Sequence, residues 1–335
     1  MNISNSIKQF NTFGLDIVSN DFNIAKNEDE IINFLNKHCN NNPIVLGGGS
    51  NILFKKDIER PVLKIEIKGI NVVKEDSAFV YISVGAGENW DNFVNWSLRK
   101  DYGGIENLSL IPGNVGSAPI QNIGAYGKEV KDIIYSCDGV FIKNLEKKTF
   151  KNSDCNFAYR SSIFKKELKN KFVITKVNFV LKKNNHKVLS DYNSVSSALK
   201  KINISKPKIN DIAKIIKKIR EEKLPDYNKI GNAGSFFKNP VLSTEKFEGL
   251  KSKFNKIPSH KINKKLIKVP AAWLIEICGF KELAYNNVSV HKNQSLVIIN
   301  LGGAKGIDIY NFSQKIKESV YKKFDILLEE EVNII

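Results

Sequence analysis

A mixed α+β chain of two or three domains is what this sequence predicts, and three observations carry the prediction. Its 335 residues exceed one typical domain of roughly 150 residues. Segments with helical spacing of apolar residues interleave with segments of strand-like alternation along the whole length. Pro, Asp, Asn and Gly gather in LPDYNKIGNAG (224–234), where periodicity lapses and a domain boundary is expected.

The first helix is expected in NEDEIINFLNKHC (27–39), where Ile31, Phe34, Leu35 and His38 share a face and early acids suit the positive end. A strand, NPIVLGG, then runs into GGGSNILF (47–54), and the alternating PVLKIEI follows. AFVYISVG (78–85) reads as a strand, and ENWDNFVNWSLRK (88–100) as a helix with Trp90, Phe93, Val94 and Ser97 inward. KFVITKVNFVLKK (171–183) alternates as a strand through Val177, Phe179 and Leu181. INDIAKIIKKIREEK (209–223) aligns Ile212, Ile215, Ile216 and Ile219 as a helix, which Pro225 stops. Downstream, VPAAWLIEICGF reads as a buried helix, QSLVIIN as a strand, and DIYNFSQKIKESVYKKF as a helix with Ile309, Phe312, Ile316 and Val320 inward. ILLEEEVNII (326–335) closes the chain as a strand.

Composition narrows the function classes. Hydrophobic content of 42% and charged content of 26% are those of a globular protein. No apolar run approaches the ~20 residues that span a bilayer, and MNISNSIKQFNTFG lacks the basic-then-apolar order of a leader, so a cytoplasmic location is expected. Cys39, Cys137, Cys155 and Cys278 show no CxxC spacing, and the four histidines no HxxxH, so neither a metal nor a redox dithiol is expected. The net charge of +17 is spread through nearly every segment without a nucleic-acid-binding motif, which points to anionic small molecules rather than nucleic acid.

Three stretches carry possible chemistry. GNAGSFFKNP (231–240) sets the hydroxyl of Ser235 between glycines and two phenylalanines, as a site of close approach or as an ordinary turn. GAGENW (85–90) nearly matches the dinucleotide fingerprint GxGxxG, but Trp90 stands where the third glycine belongs, which argues against a Rossmann unit. GGIENLSLIPGNVGSAPIQNIGAYG (103–127) is long, glycine-rich and aperiodic; its backbone amides could wrap a phosphate or a flat ring, or it could be a structural loop.

Taken together, NTFG (11–14), VLGGGSNILF (45–54), IPGNVGSAPIQNIGAYG (111–127), YRSSIFK (159–165) and GNAGSFFKNP (231–240) resemble, in order and spacing, the UDP-N-acetylenolpyruvoylglucosamine reductase family. The resemblance implies an FAD-binding unit of vanillyl-alcohol-oxidase type built of two α+β subdomains, 1–70 and 71–223, followed by an α/β substrate domain at 224–335. The strand 326–335 is expected to return to the FAD-binding unit. It also implies NADPH as reductant, a UDP-sugar as substrate, a role in peptidoglycan precursor synthesis, and a monomer.

The site residues follow from the same resemblance. Ser235 would donate a proton, while Arg160 and Glu331 would act on the substrate carboxylate. Glu331 sits in an acidic triplet with Glu329 as the alternative; the family commonly has proline where Glu330 stands and arginine where Asn333 stands. FAD would be cradled by Gly47, Gly48, Gly49, Ser50 and Asn51, and by Ile111, Pro112, Gly113, Gly116, Ser117, Gln121, Asn122, Gly124 and Ala125. Arg220, Lys223, Asn239, Lys281 and Gln294 would serve the uridine diphosphate, and Tyr192 would close over substrate, its motif matching with a one-residue shift. Two other readings stay open: an oxidase passing electrons to oxygen, and a non-catalytic sugar-nucleotide binder.

Overall fold

A computed structural model describes residues 6–335; the first five residues, part of the stretch read above for a leader, lie outside the described residues. The chain forms two units. One takes the chain through Val18, Ser50–Ile58 and Glu222–Ile335; the other takes Ser19–Gly49 and Glu59–Glu221. The chain makes its last crossing between the units at Glu222. Residues 50–58 join the C-terminal part because Ile52–Leu53 pairs in parallel with Asn333–Ile334.

The unit containing 59–221 is built on two larger sheets. Phe22–Ala25, Val62–Ile65 and Ile44–Leu46 form a parallel sheet with Val62–Ile65 central. The helix Glu28–His38 begins at Asn27, whose side chain accepts from the Glu30 amide and so satisfies an otherwise orphaned donor. The second sheet is antiparallel and runs Lys147–Lys151, Ile134–Phe141, Phe172–Lys182, Phe79–Gly85, Ile70–Glu75. Trp90 and Phe93 of the helix Trp90–Arg99 pack on Phe179 of that sheet, with ring centroids 6.0 and 4.8 Å away. The helix Ile209–Lys223 buries Ile212, Ile215, Ile216 and Ile219 with Val195 and Leu199 of the helix Asn193–Lys201.

The other unit is built on an antiparallel sheet ordered Gly231–Ser235, Gln294–Asn300, Val288–His291, Ala284–Tyr285. The helix Gly306–Phe324 buries Ile309, Phe312, Ile316 and Val320, the face its spacing predicts. A three-stranded sheet orders Val241–Ser243, Leu266–Lys268 and His260–Lys261, and the helices Thr244–Lys253 and Ala271–Ile277 belong to the same unit. The terminal strand is shorter than expected: only Asn333–Ile334 is ladder-paired, and the residues before it meet the serine segment at an isolated bridge between Phe237 and Glu330. Among the described residues no helix is long and apolar enough to cross a membrane.

Candidate active site

Ser235 ends the strand Gly231–Ser235 at an irregular step of its pairing with Gln294–Asn300, where Ser235 faces Val297. The residues before it explain the step. Asn232 donates to the carbonyls of Ile230 and Pro225 and accepts from the Gly234 amide, drawing the chain into a turn at Gly234 (φ +69°). Phe236 and Phe237 are fully buried, 5.1 Å apart edge to face, which leaves the half-buried serine as the exposed end of a rigid apolar step. Gly231 lies against the protein's own backbone: a side chain there would meet the Phe13 carbonyl at 2.1 Å. The Asn232 amide donates to Thr12, so NTFG and GNAG are two faces of one contact.

The acidic triplet runs along this segment. The Glu331 amide donates to the Phe236 carbonyl at 2.8 Å, and the Lys238 amide to Glu329 at 2.9 Å. Glu329 pairs with Lys238, and Glu330 with Lys317 (2.7 Å) and Gln314 (3.2 Å). Burial alone would raise the Glu330 carboxyl, but the Lys317 and Gln314 hydrogen bonds outweigh it and hold it below the usual glutamate value. The main chain of Glu331 is fixed from both sides, because its carbonyl also accepts from Asn51 Nδ2 at 3.1 Å. Asn333 reaches the Asn51 carbonyl through both its amide (3.1 Å) and its side chain (3.0 Å).

Arg160 belongs to the other unit and takes a left-handed backbone conformation, φ +53°, inside a turn closed by Ala158 and Ser161. Such strain in a non-glycine residue persists only where the surroundings impose it. Here Ser162 Oγ donates to the Ile120 carbonyl at 2.7 Å, Asn122 Nδ2 to Ala158 at 3.1 Å, and Arg160 Nη2 to Gly124 at 2.8 Å. YRSSIFK is therefore laced onto residues 120–124. Asn122, fully buried, also donates to Glu129 and accepts from the Lys131 amide, so its side chain takes part in this lacing.

The glycine segments meet within this unit. A side chain on Gly47 would strike Ser117 Oγ at 2.1 Å, and one on Gly48 would meet Gly113 Cα at 2.7 Å. The Gly48 and Gly113 backbones thus lie side by side, with the Ser117 and Asn114 side chains against the two glycines; a pair of loops so poor in bulk leaves main-chain amides able to approach phosphate oxygens, and on that ground residues 47–49 and 111–117 are the ones that would hold FAD. Of the remaining cofactor candidates, Gln121 accepts from Lys165 (3.4 Å), while Gly124 and Ala125 form a short hairpin with Lys128–Glu129. Ser50 and Asn51 are counted with the unit that contains Glu331.

The substrate candidates divide. Lys223 is exposed at the end of its helix, and Tyr192, 51% exposed, stands edge-on to Tyr126 with centroids 5.4 Å apart. Lys281 pairs with Glu276 at 3.7 Å, and Gln294 sits in the hairpin opposite His291. Asn239 Oδ1 accepts from the first amide of the helix Ala271–Ile277. Arg220 turns inward: its Nε donates to the Leu110 carbonyl at 3.2 Å and its guanidinium to the Tyr126 hydroxyl, and burial pushes it below its ordinary value. Asp91 is a further residue of this neighbourhood that the sequence did not single out, since an acid in a first helical turn reads simply as a complement to the helix dipole.

Comparison with known proteins agrees along the whole chain. The family model described as UDP-N-acetylenolpyruvoylglucosamine reductase, C-terminal domain, matches residues 225–335, and that of an FAD binding domain matches 22–141. A UDP-N-acetylenolpyruvoylglucosamine reductase from Flavobacterium johnsoniae is 45% identical over 330 residues, covering 98% of both chains. Its counterpart from Bacteroides fragilis (strain ATCC 25285) is 40% identical over 331 residues, again covering 98% of each. The crystal structure of the Thermus caldophilus reductase superposes with a TM-score of 0.70 over 98% of this chain and 97% of that one; at 20% identity it bears on the fold alone.

Proposed function

The chain belongs to the UDP-N-acetylenolpyruvoylglucosamine reductase family and is a flavin-dependent oxidoreductase with an FAD-binding domain; we propose that it uses NADPH to reduce the enolpyruvyl ether of UDP-N-acetylglucosamine to UDP-N-acetylmuramate. The setting is the cytoplasmic synthesis of peptidoglycan precursors. The chemistry FAD supplies when bound is hydride transfer, in from NADPH and out to the vinyl carbon of the substrate.

The chain's own residues manage the charge and the proton. Hydride addition to the vinyl terminus leaves negative charge on the carbon beside the carboxylate, which must be stabilised and protonated. Arg160 offers a permanent fork-shaped charge to that carboxylate, and Glu331 acts on the same group. The Ser235 hydroxyl gives its proton to the carbon, so alkene, hydride and proton balance to the saturated lactyl ether. Lys223, Lys281 and Gln294 are assigned to the uridine diphosphate and Tyr192 to closure over it. The observation that carries the serine–glutamate reading is the hydrogen bond from the Glu331 amide to Phe236, which ties the two residues to one rigid step.

The test is turnover with the product identified. Purified protein should be yellow, should consume NADPH only when the enolpyruvyl substrate is present, and should yield a product two hydrogens heavier. A colourless protein that takes up no FAD, or NADPH consumption that makes peroxide without the sugar nucleotide, would contradict the proposal.

A further inference from the structure

Leu110 is a bulky residue in the left-handed region, φ +59°, immediately before the Ile111–Pro112–Gly113 turn that abuts Gly48. A leucine does not hold this conformation without outside help. Both of its main-chain groups have a charged partner. Asp91 Oδ1 accepts from the Leu110 amide at 2.5 Å, and Arg220 Nε donates to the Leu110 carbonyl at 3.2 Å.

Each partner is itself held in place. Asp91 Oδ2 accepts from Asn95 at 2.9 Å and lies 3.5 Å from Lys217 Nζ, which donates to Asn95 at 2.6 Å; Lys217 stands one turn before Arg220 on the same helix. Past the turn, the chain is fixed by ordinary main-chain bonds, Trp90 to the Gly113 carbonyl at 3.0 Å and Val115 to the Glu88 carbonyl at 2.8 Å. At Leu110 the turn is held by polar side chains.

We propose that Asp91 and Arg220 form a two-sided clamp that holds Leu110 left-handed and thereby sets residues 111–117 for FAD, making Arg220 a positioning residue of the cofactor site and not a contact of the substrate diphosphate. The inference rests on the reading of 47–49 and 111–117 as the FAD cradle. It uses Arg220 for what an arginine does better than a lysine, which is to donate in several fixed directions at once, here to Leu110 and Tyr126.

The experiment is titration of apoprotein with FAD, followed by flavin fluorescence, alongside the KM for the sugar nucleotide at saturating FAD. Arg220→Met and Asp91→Ala should each weaken FAD binding roughly tenfold, the scale of losing support for one strained residue, with that KM unchanged. Asp91→Asn, which keeps an acceptor for the Leu110 amide but turns a donor toward Asn95 and Lys217, should lose less affinity than Asp91→Ala. Leu110→Gly added to Arg220→Met should restore binding, because glycine adopts the conformation unaided. Unchanged FAD affinity with a raised KM in Arg220→Met would overturn the clamp and return Arg220 to the substrate. Failure of Leu110→Gly to rescue would overturn the strain argument, and should Arg220→Met not fold, the Asp91→Ala and Asp91→Asn pair decides alone. A wild-type protein that bound no FAD would instead overturn the cofactor reading itself.

Discussion

The segments carrying Ser235 and Arg160 are held by opposite means. From Ser235 onward the main chain does the positioning, Phe236 and Lys238 exchanging amide bonds with Glu331 and Glu329, and before it a single side chain, Asn232, locks the strand's irregular step. Around Arg160 and Leu110, both left-handed, side chains reach to carbonyls and amides: Arg160 to Gly124, Asn122 to Ala158, Asp91 and Arg220 to Leu110. A ladder of main-chain bonds survives the loss of any one neighbouring side chain, whereas a turn held by single side chains does not. Substitutions near the serine should therefore alter chemistry without altering geometry, and those near Leu110 and Arg160 should alter geometry first.

The sharpest test of that difference is Ser235→Ala, expected to lower kcat by ~10²–10⁴, the usual worth of a positioned proton donor, with the melting temperature unchanged. Loss of stability in that variant would break the contrast. Arg160→Lys should lower kcat by roughly 10²-fold, because an ammonium supplies neither the fork to the carboxylate nor the fixed bond to Gly124. Asn122→Ala should cost about 1–3 kcal/mol in denaturant unfolding, since the main-chain groups of Ala158 and Lys131 would lose their partner in a buried setting.

The smallest effect concerns the acidic triplet. Glu330 has a folded-state value held below its ordinary one by Lys317 and Gln314, so it contributes stability at neutral pH that is lost as pH falls through that lowered value. Lys317→Met should then cost about 1 kcal/mol at pH 7 and progressively less below the ordinary glutamate value of 4.5. A stability difference that stayed constant down to acid pH would assign the loss to packing instead.

What the sequence made legible follows the same division. The helices at 28–38, 90–99, 209–223 and 306–324 bury the faces their spacing predicts, because a regular element repeats its signal every turn. The glycine segments read as places of close approach, and at Gly231 what approaches is the Phe13 carbonyl. The clamp on Leu110 left no mark in the sequence. Its two partners lie 19 and 110 positions away, and nothing about a leucine announces a positive φ. Nor did the lacing by Asn122 leave one, since a buried amide joining three segments looks in sequence like any other asparagine. The terminal strand was read too long because ILLEEEVNII alternates well, yet its acidic part runs against the serine segment through an isolated bridge.

The central claim is that Ser235 supplies a proton and not a shape, and anaerobic rapid mixing of Ser235→Ala measures it directly. In that variant NADPH should bleach the flavin at the wild-type rate, while the enolpyruvyl substrate restores its colour ~10²–10⁴ times more slowly. Equal slowing of both half-reactions would contradict the claim and leave Ser235 as a residue that shapes the site.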